Sequence, residues 1–158
     1  MKYYFINIIF ISIVYGLFEG CSTKIPDSNK LNLDINIVKI NVWLNLMPGG
    51  RPSFHISGEL GIKNENRERL ENLKLRQVVI YHDTLELIKI IPLFKIKNNL
   101  NDSTLHPGES KNFLISAAEK TDIKNLGNVK LINLLLMFSS EGKTFEYKID
   151  NIEVERVY

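Results

Sequence analysis

The side chains able to do chemistry in this sequence are few and scattered. The histidines are His55, His82 and His106, and the single cysteine is Cys21. A metal site needs several ligands brought together, usually at recognisable spacing, and no two of these histidines show it. They are the only set a ligand or metal carrier would have to use, and that carrier is the alternative reading of the chain. No Gly-x-Ser-x-Gly elbow, phosphate-cradling glycine loop or His-Glu-x-x-His helix is present. Glu65, Glu68 and Glu71 alternate with Arg67 and Arg69 as a solvated charge mixture. The stretch 98–103 is rich in oxygen ligands but lacks the spaced aspartates and fixed glycine of a calcium loop. The expectation is a non-enzyme with no cofactor; an active site assembled from scattered loops is the rival. For binding, the candidates are Trp43, Arg51 and Phe54, which lie around the rigid turn Met47-Pro48-Gly49-Gly50-Arg51-Pro52. Tryptophan and arginine are enriched at binding hot spots. Trp43 falls on the face of its strand opposite the apolar one, and burial in a core is the competing expectation for so large a ring.

Cys21 has a more particular setting. Lys2 begins a short positive region, and residues 3–18 are apolar except for Asn7, Ser12 and Gly16. Sixteen helical residues reach only about 24 Å, short of a ~30 Å hydrocarbon core. That length fits the core of a signal peptide better than a permanent anchor. Leu17-Phe18-Glu19-Gly20-Cys21 then resembles a bacterial lipobox, with Gly20 and Cys21 matching and Phe18 and Glu19 departing from the usual residues. The resemblance implies cleavage before Cys21, a covalent diacylglycerol on its sulfur, and further acylation such as palmitate. It implies a bacterial lipoprotein held to a membrane, its domain facing the periplasm or the exterior. Residues 1–20 are then the signal peptide, 21–30 a polar tether, and 31–158 the folded domain. The tether spans at most roughly 30 Å, which keeps the domain near the bilayer.

The elements that must position the candidate residues read as strands. The chain has 158 residues, 44% hydrophobic and 24% charged, with a net charge of +2. This supports one domain with a real core, and the charge surplus is too small to neutralise many phosphates of a nucleic acid. Alanine occurs only at Ala117 and Ala118 while isoleucine is abundant, a balance that favours sheet. Leu31, Leu33, Ile35 and Ile37 are apolar with period two, and the phase then flips to Val38, Ile40, Val42, Leu44 and Leu46. Such a slip marks a β-bulge or a strand that passes between sheets. A second flip runs from Phe145, Tyr147 and Ile149 to Ile152 and Val154. Between these, strands are expected over Phe54–Ile62, Leu73–Tyr81 and Leu85–Phe94, the last with Pro92 marking an edge. Ser116–Glu119 has capping-box spacing for a helix of a turn or two ending at Gly127, and Val129–Phe138 reads as a strand buried on both faces.

Seven or eight short strands with tight turns predict an all-β fold: an immunoglobulin-like β-sandwich following an N-terminal signal helix. A small closed barrel is the alternative. The stretch from Gly58 through Asn64-Glu65-Asn66 to Tyr81-His82-Asp83, with Leu105-His106-Pro107-Gly108-Glu109 further on, resembles bacterial immunoglobulin-like modules of the FxLYD and water-stress types. In those, a strand, an Asn-containing loop and a strand ending in Tyr-Asp precede a Pro-Gly turn. The resemblance implies a non-catalytic binding or assembly module of the cell envelope. Its partner would be an envelope protein or glycan, met through end loops or through a sheet edge that accepts a strand.

Overall fold

The computed structural model describes residues 31–97, 103–120 and 129–158. Residues 1–30 lie outside these, and with them the signal segment, the tether and Cys21.

Period-two patterning produces nine strands. They are β1 (Leu33–Asn45), β2 (Ser53–Asn64), β3 (Lys74–His82), β4 (Leu85–Ile90), β5 (Leu93–Ile96), β6 (Ser110–Lys120), β7 (Leu131–Ser140), β8 (Lys143–Glu153) and β9 (Glu155–Val157). One sheet has the order β5-β6-β2-β1-β9 and the other β4-β3-β7-β8. This is the immunoglobulin arrangement: β1, β2, β6 and β5 stand where strands A, B, E and D stand, and β4, β3, β7 and β8 where C′, C, F and G stand. The short β9 is added by parallel pairing with the end of β1. Between the sheets the inward residues form one core, with Phe54, Phe113 and Phe138 its largest side chains among many isoleucines and leucines.

Both phase flips are bulges within strands. In β1, Ile37 faces Leu60 and Lys39 faces Glu59, so Val38 is the extra residue, and it turns outward at 52% exposure. Buried positions then resume at Val42 and Leu44. In β8, Ile149 faces Leu134 and Ile152 faces Ile132. Asn151 takes the left-handed conformation there (φ 58°), and its N–H donates to Asn133 Oδ1 at 3.0 Å.

Three expectations are corrected. Leu85–Phe94 is two strands in different sheets, because Ile91-Pro92 interrupts pairing and the chain crosses the sandwich there. Ser116–Glu119 continues β6 rather than starting a helix; each of these residues pairs across to β2, which outweighs a local cap. The expected end at Gly127 lies outside the described residues. Finally, β7 is buried on one face only: Ile132, Leu134, Leu136 and Phe138 point inward, while Asn133, Leu135 and Met137 are half-buried on the outer face.

The β1 bulge explains a glycine. A Cβ on Gly58, opposite Ile40, would lie 2.8 Å from the Lys39 carbonyl oxygen and 3.2 Å from Ile115 Cγ1. Backbone cannot yield there as a side-chain tip would. Gly58→Ala is therefore expected to destabilise the fold by about 1–3 kcal/mol in urea unfolding, and an unchanged midpoint would show that the bulge relaxes freely.

Candidate binding cleft

At one end of the sandwich the chain leaves β2 and crosses to the second sheet. The crossing is organised by Asn64, whose side chain is fully buried. Its Nδ2 donates to the carbonyl oxygens of Glu68 (2.8 Å) and Leu105 (2.9 Å). Its Oδ1 accepts from the backbone N–H and the side-chain Nδ2 of Asn66, both at 2.8 Å. The Asn64 main chain is used as well: its N–H donates to Glu109 O at 3.0 Å, and its carbonyl accepts from Gly108 N at 2.8 Å. Leu70 and Leu105 exchange backbone bonds beside it, and both are buried with Leu31 and Leu73. The Asn loop and the Pro-Gly turn are thus one clasp. Gly108 supplies positive φ (73°) to the turn, and the Glu109 carboxylate accepts from the His106 N–H at 2.8 Å.

The residues singled out in the sequence occupy separate places. Trp43 lies half-buried on the outer face of the five-stranded sheet, its ring stacked on His55 at 4.9 Å and 8°. His55 is also linked through Nε2 to Ser53 Oγ at 2.7 Å. Arg51 is exposed in the adjoining turn. Phe54 is wholly buried, because it alternates with His55 and faces the core, and it therefore drops out as a contact residue. His82 sits beside Asp83 at the far end of β3, bordering a shallow hollow with Lys130, Asn133 and Asn151. His106 belongs to the clasp turn. The three histidines do not converge. Among the described residues no group of three or more His, Cys, Asp or Glu side chains is placed to hold a metal ion.

A larger feature lies along the edge that Pro92 marks in the sequence. Because β4 pairs only with Val78–His82, the first half of β3 has no strand neighbour on that side among the described residues. The crossover at Pro92 carries β5 to the edge of the other sheet, facing this gap. The result is a cleft of about 550 Å³ along the open side of the sandwich. Leu75, Ile96 and Phe113 are buried beneath it, and Phe94 stacks on Phe113 at 4.7 Å and 2°. Lys74, Arg76 and Lys95 line its rim and are exposed. The sequence signal that could have located it is Ile91-Pro92, an apolar-proline step inside an otherwise continuous strand pattern.

The fold and these surfaces define a two-sheet β-sandwich with immunoglobulin strand order. No protein family and no curated protein matches the chain. Solved structures that it resembles include a candidate lipoprotein (ycdA) of Bacillus subtilis, with 12% identity and a TM-score of 0.46 over 78% of this chain and 38% of that one. A structural-genomics target, SoR45, has 12% identity and a TM-score of 0.44 over 78% and 86% of the two chains. An uncharacterised β-sandwich protein of Clostridium difficile has 16% identity and a TM-score of 0.39 over 78% and 87%.

The clasp carries a pH dependence. The His106 N–H bond, aided by Lys111, holds the Glu109 carboxyl below the ordinary glutamate range. A lowered folded-state pKa gives stability that is complete above the ordinary value and lost as pH falls through the folded one. Glu109→Gln should therefore remove part of the acid limb of the stability profile, read by thermal unfolding from neutral to acidic pH. An acid limb identical to that of the unchanged protein would contradict the role given to this carboxylate.

Proposed function

We propose that the chain is a non-catalytic bacterial lipoprotein that holds an immunoglobulin-like binding or assembly module at the cell envelope. One observation carries this reading: the only cysteine follows Gly20 at the end of an apolar leader and precedes a polar stretch, with the folded domain beginning by Leu33. A lone thiol in that position has no core to enter, whereas a thioether-linked diacylglycerol there tethers the domain close to a bilayer. An acylated cysteine carrying more than one chain is stably membrane-bound, at about 0.8 kcal/mol per buried CH₂. Two features of the domain support a binding role. One is the set of strand edges open to a partner, and the other is the Trp43–His55 stack with the exposed Arg51 beside it. The partner on this reading is an envelope protein or glycan.

Cys21→Ala tests the anchor. The unchanged protein should incorporate labelled palmitate and sediment with membranes, and the variant should take up no label and lose that membrane attachment. Equal membrane retention and labelling of the variant would sink the lipoprotein reading.

A further inference from the structure

We propose that the cleft between β3 and β5 is a strand-accepting site for an extended peptide with apolar residues on one face and acidic residues on the other. The inference rests on the reading of the chain as a binding module and names the chemistry of its partner. Three observations converge on it.

The first is unpaired backbone on both walls. In an antiparallel ladder, successive residues alternate between bonding the neighbour and pointing away from it. Lys97 N–H bonds Asn112 O on β6, so Lys95 and Leu93 also face β6. The N–H and C=O groups of Phe94 and Ile96 therefore point to the free edge of β5. Across the cleft, Lys74–Gln77 of β3 pair among the described residues with β7 alone. A peptide backbone answers such alternating donors and acceptors in register, as in β-strand addition.

The second is an apolar floor with apolar residues left outside it. Leu75, Phe94, Ile96 and Phe113 form the floor, while Ile91 and Leu93 stand 84% and 75% exposed at its mouth. Natural edge strands are usually blunted by charge or proline. Here Pro92 opens the site, and the strand that follows it begins with a solvated leucine.

The third is charge. Lys74, Arg76 and Lys95 line the cleft, and among the described residues no carboxylate lines it and none of the three has an acidic partner. Elsewhere on the domain Lys63, Lys89, Lys97, Lys111, Lys143 and Lys148 pair with Glu or Asp. A strand whose inward residues are apolar and whose outward residues are acidic matches the floor and the rim together.

The test uses the full chain in phosphatidylcholine nanodiscs and a capped peptide of alternating valine and glutamate as probe. Amide hydrogen exchange at Phe94 and Ile96 should slow by about tenfold or more when the peptide is added, with Val79 unchanged. A matched valine–lysine peptide should give no protection, and K74E/K95E should abolish the effect of the glutamate peptide while its other strands exchange as before. Should the pair of reversals disturb the fold, K74Q/K95Q replaces it, with the protection expected to weaken. Absence of protection in the unchanged protein, equal protection in a folded charge variant, or slowing produced by phosphatidylglycerol nanodiscs without peptide would each overturn the site. An anchored protein with an unresponsive cleft overturns this inference alone; loss of anchoring dependence on Cys21 overturns the broader reading instead.

Discussion

A buried amide sets the geometry of this sandwich. Asn64 ends β2 and must hand the chain to the opposite sheet, a crossing that leaves several backbone groups without ladder partners. Its side chain answers two carbonyls and an amide at once, and its own backbone fastens the Gly108–Glu109 turn. Buried polar groups left unpaired cost roughly 1–3 kcal/mol each, so one residue that satisfies several of them is costly to replace. Ser140 adds a hydrogen bond from its hydroxyl to Glu71 O, tying the same crossing to the second sheet. Leu31, Leu70, Leu73 and Leu105 close that end of the core, positioned by these bonds.

Two of the four changes of sheet, β2 to β3 and β4 to β5, are built differently, with consequences for function. At Asn64 the chain crosses through a clasped loop, and that end is sealed. At Ile91-Pro92 it crosses with no clasp, because proline has no N–H to donate. That crossing leaves half of β3 uncovered and places β5 as an edge strand over an aromatic floor. On that open side the free edge of β5 and the first half of β3 lie together. The Trp43–His55 stack, on the outer face of the first sheet, is a separate surface.

Much of the scaffold was legible in the sequence. Period-two alternation placed the strands because each has one face in the core, and both phase flips were bulges, since an extra residue is the only way to reverse the inward set without ending a strand. Local signals failed where long-range pairing overrode them. Ser116–Glu119 has the spacing of a helix cap, yet pairing with β2 holds it extended. Phe54 sits beside a Pro/Gly turn and looked available, but its phase in β2 sends it inward. The clasp was visible only as two separate motifs, because Asn64 and Leu105 meet across 41 residues. The cleft was legible only as the Ile91-Pro92 step that marks an edge: its extent follows from β4 being shorter than β3, a fact of pairing that no local pattern records.

The central claim is that Asn64 governs the sealed end of the fold. Urea unfolding of the full chain carrying Asn64→Ala tests it most directly, with hydrogen exchange at Leu70 and Leu105 as the local readout. The account predicts a loss of about 2–4 kcal/mol, with exchange at those two amides accelerated more than in β7. A variant within about 0.5 kcal/mol of the original, with Leu70 and Leu105 still protected, would contradict it.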